Sequence, residues 1–362
     1  MKTEKKHPLK VFIHIKENTC IFTDLFAAQL VGYFKRNQVK MTPLPEADII
    51  IVVVCSNFER KIVLALEVIK SYEKQYPDKK IIITGCFLEK NLSVLSKTTS
   101  YYSPLNAGLF DDLFKPKVPL EQISANVFGP GSEKGTNKEK IYNILVSLGC
   151  NNKCSYCIKN KIFPAVKSRD FSIVKKEFRN GIKKGFRNFS ILGTDVSLYG
   201  KDIGMSVVDL FAALFKEKKE FTLSVFGFEP GNFLKYFDEL RKYFKTKKII
   251  YLFLAIQSGS NKVLKDMNRK YTVEDIKKMV KELRRLSPGI LIETDIIYCF
   301  PTETADDFQK TISILHYFDK FTINIFNRHK GTKAYGMKDV FDAKEKARRT
   351  EQIKAITSGH KS

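Results

Sequence analysis

The sequence predicts an α/β protein in two parts: an N-terminal doubly wound parallel-sheet domain, then a partial, three-quarter (βα)6 barrel. Three observations carry that prediction. From residue 10 to about 118, short β-branched apolar runs alternate with segments of helical spacing, as buried parallel strands and their crossover helices do. A polar, glycine-rich stretch then interrupts the pattern. After it the alternation resumes through six βα-type units, too few for a closed eight-fold barrel.

In the first domain, residues 1–127, the runs Leu9–Ile15, Asp48–Val54 and Lys80–Thr84 read as strands. Between them Thr23–Asn37 and Phe58–Tyr76 place apolar residues at helical intervals. Residues 128–138, which include Phe128-Gly-Pro-Gly-Ser-Glu-Lys-Gly-Thr-Asn137, read as the linker. The barrel, residues 139–362, is expected to have strands at 141–147, 188–192, 221–226, 249–256, 290–298 and 321–326. Helices are expected at 171–184, 206–216, 231–243, 261–267, 272–286 and 304–318, with a last one over Asp339–Ile356. Ligands of both architectures bind beyond the carboxyl ends of the strands, so functional residues belong in the loops that follow them.

Composition narrows the function. No apolar run approaches the roughly 20 residues that span a bilayer. The basic, polar start of the chain lacks the apolar core of a secretory signal, so a cytoplasmic protein without a membrane partner is expected. The 63 basic against 39 acidic residues give a formal charge of +24, a field that attracts polyanions such as nucleic acid. Base composition of the gene is the competing explanation, since Lys far outnumbers Arg and Trp is absent. Seven cysteines, an odd number in a reducing compartment, point to metal binding or catalysis rather than disulfides.

Three of them form Cys150-Asn-Asn-Lys-Cys154-Ser-Tyr-Cys157, directly after the predicted strand at 141–147. Three thiolates on one tight loop suit three irons of a [4Fe–4S] cube, whereas electron-transfer clusters ordinarily take four cysteines. The fourth iron is then open to the amino and carboxylate groups of S-adenosylmethionine (SAM). Reductive cleavage of the bound sulfonium gives a 5′-deoxyadenosyl radical able to take hydrogen from an unactivated carbon. Zinc is the alternative, but its sites usually want a second cysteine pair farther on, which is missing.

Cys20, Cys55 and Cys86 each fall at or just beyond the carboxyl end of a predicted strand. Parallel neighbours bring such positions to one sheet edge, and Gly85 suits a tight turn beside a cofactor. A second cluster with one open iron is one reading; three buried cysteines, each a small hydrophobe, is the other. Cys299 completes neither triad.

With these residues in view the chain resembles the radical SAM methylthiotransferases over nearly its whole length. Leu192-Gly-Thr-Asp-Val-Ser-Leu-Tyr-Gly200 is similar to a family segment, as are Gln257-Ser-Gly-Ser260 and Val263-Leu-Lys-Asp-Met-Asn-Arg-Lys-Tyr271. Thr294-Asp-Ile-Ile-Tyr-Cys-Phe-Pro-Thr-Glu-Thr304 and Gly331-Thr332 with Ala334 complete the set, in the family's order. The resemblance implies two [4Fe–4S] clusters and two uses of SAM. One SAM methylates a sulfur on the auxiliary cluster of Cys20, Cys55 and Cys86. The other is cut at the Cys150, Cys154 and Cys157 cluster to open a C–H bond.

Thr23, Val53-Val54, Cys299, Thr302 and His329 depart from the family pattern. A C-terminal RNA-binding β-barrel (TRAM) domain is expected to be lacking, since the sequence stops soon after residue 356. Tyr156 is a candidate for the adenine of SAM, with loop packing the alternative. Ser168, Arg169, Glu177, Asp195 and Gln257 are candidates for its methionyl group and ribose, with surface or capping roles as the alternative.

The resemblance implies as acceptor a tRNA adenosine beside the anticodon, methylthiolated at C2. A protein or peptide side chain, of the aspartate β-carbon type, is the second possibility. Positive charge favours RNA and the lacking TRAM domain disfavours it. A reductant such as flavodoxin or ferredoxin and a monomeric state complete the expectation.

Overall fold

The computed structural model describes residues 9–15, 20–55, 59–127 and 140–359. The linker expected at 128–138, and Phe58 at the start of the expected second helix, lie outside the described residues. The chain divides into two compact units. The first comprises residues 1–150 and 159–193, the second 151–158 and 194–362.

The first unit begins with β1 (Lys10–Ile15), α1 (Ile21–Arg36), β2 (Lys40–Met41), β3 (Ile49–Val54), α2 (Glu59–Gln75), β4 (Lys80–Gly85), β5 (Thr99–Tyr102) and α3 (Gly108–Phe114). Five strands pair in parallel in the order β2-β1-β3-β4-β5. The Ile-Ile-Ile-Val-Val-Val of β3 explains its central place, because all six side chains are buried. Alternate residues serve opposite faces: Ile49, Ile51 and Val53 pack with Phe26, Leu30 and Tyr33 of α1. Ile50, Val52 and Val54 pack with Ala65 and Ile69 of α2. This is the doubly wound arrangement the sequence predicts.

The same unit continues with β6 (Ile141–Leu148), α4 (Lys159–Ile162), β7 (Lys167–Ser168), α5 (Phe171–Lys183) and β8 (Asn188–Gly193). β6 pairs in parallel with β8 and antiparallel with the short β7. The second unit carries α6 (Val207–Leu214), β9 (Thr222–Phe228), α7 (Pro230–Phe244), β10 (Ile249–Gln257), α8 (Asn261–Asp266), α9 (Val273–Leu286), β11 (Leu291–Tyr298), α10 (Ala305–Ser313), β12 (Lys320–Ile325) and α11 (Ala343–Gly359). β9 to β12 are joined in parallel, in sequence order. The six parallel strands expected after the linker are therefore present.

Capping boxes start three helices of the second unit: Ser206 with Asp209, Thr272 with Asp275, and Thr304 with Asp307. The helix expected over 304–318 ends at Ser313, and Leu315–Tyr317 tightens into a 3-10 turn. The last helix begins at Ala343 rather than Asp339, whose carboxylate is engaged by Arg328 at 2.6 Å.

α11 is anchored through Arg349, which is fully buried against the equally buried Glu303 at 2.9 Å. Glu303 also accepts the Cys299 backbone N–H at 2.7 Å, and burial lifts its carboxyl to about 7. Cys299 adopts a left-handed φ of 57°, and burial pushes its thiol up to about 11. Among the described residues no helix is long and apolar enough to cross a membrane.

Candidate active site

In the first unit Cys20 occupies the cap position of α1, where its carbonyl accepts the Asp24 N–H at 3.0 Å. Cys55 directly follows β3, and Cys86 directly follows β4. Gly85 makes the turn at the end of β4 with φ of 91°; a Cβ there would lie 2.3 Å from the Val54 carbonyl oxygen. That close approach lets the Cys86 N–H donate to the Val54 carbonyl at 2.9 Å.

The three thiols meet: hydrogen bonds from Cys55 and Cys86 pull the Cys20 thiol far below its ordinary range. Cys86 is pushed up by its hydrogen bond to Cys20 and by burial. Thr23 places its hydroxyl 3.4 Å from the Cys20 sulfur. The Lys159 ammonium, 5.7 Å from the Phe22 ring centroid, adds positive charge that favours the Cys20 thiolate.

Cys150 follows β6 through Gly149, whose φ is 81° and whose added Cβ would meet the Ala165 carbonyl oxygen at 1.8 Å. The Cys150 N–H donates to the Phe163 carbonyl at 3.3 Å, closing the start of the loop within the first unit. In the second unit the Cys157 N–H donates to the Cys154 carbonyl at 3.3 Å, turning the chain tightly between them. Burial raises the Cys154 thiol, and Arg269, whose Nη1 donates to its sulfur at 3.4 Å, opposes that rise. The Ser155 hydroxyl donates to the Asp266 carbonyl at 2.8 Å, and the Ser155 carbonyl accepts the Ala334 N–H at 2.8 Å.

Among the described residues no three His, Cys, Asp or Glu side chains close around a single metal ion. An iron–sulfur cube spreads its thiolates over different irons, so an all-cysteine triad suits it without such convergence. The donor chemistry therefore fits clusters.

The six candidate SAM residues fall in both units. Ser168 and Arg169 line a cavity of 170 Å³ in the first unit, together with Phe26, Gln29, Leu105 and Ser147. Glu177 joins them by pairing with Arg169 Nη1 at 2.8 Å, and the same nitrogen donates to the Leu145 carbonyl at 2.9 Å. Ser147 is buried on that cavity, and its hydroxyl has no hydrogen-bond partner among the described residues.

Asp195 lies in the second unit and is tied back to the cysteine loop. Its Oδ2 accepts from Asn152 at 3.3 Å and from Asn232 at 2.9 Å, and its Oδ1 accepts the Ser197 N–H at 3.0 Å. Burial lifts the Asp195 carboxyl to about 6. Tyr156 packs against Val263, Met267, Phe300 and Ala334. Gln257 ends β10, buried, with a left-handed φ of 69°.

Sequence reasoning passed over Arg269, Asn152 and Asn232. The Met-Asn-Arg run already held the signal for the first, but a lone cation reads as solvated until its burial is known.

The parallel strands and the cysteine loops define a radical SAM enzyme, and the Radical SAM superfamily model matches residues 144–315. The threonylcarbamoyladenosine tRNA methylthiotransferase of Thermotoga maritima is 30% identical, over 79% of this chain and 68% of its own. A probable threonylcarbamoyladenosine tRNA methylthiotransferase of Methanothermobacter thermautotrophicus is 26% identical over 95% of this chain and 83% of its own. This chain belongs to the radical SAM methylthiotransferase family. It is an enzyme that transfers a methylthio group, and its family implies SAM and a [4Fe–4S] cluster.

Solved structures support the fold. The radical SAM methyltransferase TsrM of Kitasatospora setae superposes with a TM-score of 0.61 at 12% identity, over 91% of this chain and 75% of its own. The cobalamin-dependent radical SAM enzyme OxsB gives 0.57 at 13% identity over 98% of this chain. The chain spans 56% of the length of OxsB.

Proposed function

We propose that this enzyme methylthiolates tRNA at C2 of a modified adenosine next to the anticodon, using two clusters. Cys150, Cys154 and Cys157 hold the cluster that binds SAM, and Cys20, Cys55 and Cys86 hold the second. When bound, these groups supply the radical that opens the C–H bond and the sulfur that replaces the hydrogen.

The meeting of Cys20, Cys55 and Cys86 thiols at one sheet edge carries this reading. SAM cleavage alone needs one triad; a sulfur to be transferred gives the second triad its purpose. The relatives named as tRNA methylthiotransferases supply the acceptor class, and the formal charge of +24 suits a phosphate backbone.

The protein's own groups bind and orient. Ser168 and the Arg169–Glu177 pair present hydroxyl, cation and carboxylate groups suited to the methionyl end of SAM. Asp195 holds Asn152, and with it the cysteine loop, through hydrogen bonds. Tyr156 braces the loop from within, packed against Val263, Met267, Phe300 and Ala334.

Mass spectrometry tests the acceptor. Reconstituted enzyme with SAM and a reductant such as flavodoxin or ferredoxin should add about 46 Da, a methylthio group in place of hydrogen, to an anticodon stem-loop carrying the modified adenosine. The same loop substituted at C2 should stay unchanged. An inert stem-loop beside a peptide gaining that mass would replace the tRNA reading with the peptide one.

A further inference from the structure

We propose that Arg269 is a positioning residue that sets the reduction potential of the cluster on the Cys150–Cys157 loop. The inference rests on the cluster assignment above and concerns residues that assignment does not use.

Three consecutive residues grip three consecutive residues of the loop. The Met267 carbonyl accepts the Ser155 N–H at 3.0 Å. The Asn268 side chain, on a residue with φ of 58°, donates to the Lys153 carbonyl at 2.7 Å. Arg269 Nη1 donates to the Cys154 sulfur at 3.4 Å. The clamp therefore fixes the backbone on both sides of Cys154 while putting a cation on its sulfur.

The guanidinium is held there by its surroundings. Arg269 is only 9% exposed. Its Nε donates to the Tyr271 hydroxyl at 2.9 Å, and that hydroxyl donates on to the Ile256 carbonyl at 2.8 Å. Its Nη2 donates to the Ala255 carbonyl and stands 3.5 Å from Glu229 Oε1. Glu229 is itself fixed, accepting the Asn232 N–H at 2.7 Å. A planar fork restrained at each nitrogen cannot swing away from the sulfur without leaving several buried groups unpaired.

Arginine keeps its proton throughout the accessible pH range. Hydrogen bonds to sulfur and local charge are the protein's levers on cluster potential. An N–H donor and positive charge beside one thiolate favour the reduced, more negative cluster. Arg269 thus makes the cluster easier to reduce.

The test is an EPR-monitored redox titration of reconstituted protein carrying Cys20→Ala, Cys55→Ala and Cys86→Ala, so that only this cluster reports. Arg269→Gln should weaken reduction about tenfold, a fall of about 59 mV for a one-electron couple, with iron content retained. Arg269→Lys keeps charge but loses the fork, and should fall between Gln and the parent. An unchanged potential in both variants at full iron content overturns the proposal and leaves the cluster assignment standing. Should Arg269→Gln fail to hold iron, Arg269→Lys decides alone: a potential equal to the parent's overturns the proposal. Survival of the same signal after Cys150→Ala, Cys154→Ala and Cys157→Ala would instead overturn the assignment.

Discussion

Cys150, Cys154 and Cys157 arrive on one loop, closed at its start by Gly149 and gripped further along by residues 267–269. Cys20, Cys55 and Cys86 come from three separate segments, and the pairing of β3 with β4 sets two of them side by side. Spacing along the chain specifies the first triad, while strand order specifies the second. Local geometry can be read from a short motif. Topological geometry requires the whole sheet, so the second triad should depend more on the integrity of its domain.

Removing each triad in turn should separate the two constructions most strongly. Replacing Cys150, Cys154 and Cys157 by Ala should abolish 5′-deoxyadenosine formation and halve an iron content of about eight. Replacing Cys20, Cys55 and Cys86 should also halve the iron, yet leave SAM cleavage in place and remove only the methylthio product. Four irons in the parent, all lost with the first replacement, would show that the second triad holds no cluster.

A smaller effect is expected at the two glycines. Gly149→Ala and Gly85→Ala both force a side chain into a left-handed conformation and against a carbonyl oxygen, at 1.8 and 2.3 Å. Each should cost about 1–3 kcal/mol from backbone strain alone, read as a lower Tm. If the contrast between local and topological construction holds, Gly149→Ala costs iron at one cluster with the first sheet intact. Gly85→Ala should loosen β4 as well, visible as a less cooperative melt.

The smallest effect concerns Asp195, which steadies the loop triad through Asn152. Burial lifts its carboxyl to about 6, above the ordinary value of about 3.9, so the folded chain binds a proton that the unfolded chain has released. Stability from this group is fully present below about pH 4 and is lost as pH rises through about 6. Asp195→Asn should flatten thermal stability over that interval. A slope equal to the parent's would place the proton elsewhere.

Much of the fold was legible because β-branched runs and helical periodicity are strong where strands and helices are buried. β5 was missed because Thr-Ser-Tyr-Tyr lacks an apolar run, and its half-buried place depends on pairing with β4. The seven-residue α3 is too short to show a period. At the site, cysteine spacing announced the chemistry, but neither the Asp195–Asn152–Asn232 network nor the burial of Arg269 leaves a trace in linear order. Nor does adjacency to two cysteines show that Tyr156 packs against Met267, more than a hundred residues on.

The anchoring of α11 has a consequence for how the second unit opens. Peeling the helix away would withdraw Arg349 from Glu303 and leave that buried carboxyl without its ion-pair partner. The same carboxylate holds the Cys299 amide in the turn after β11. Helix and turn therefore cannot fray independently, and the two ends of this contact belong to one cooperative unfolding unit.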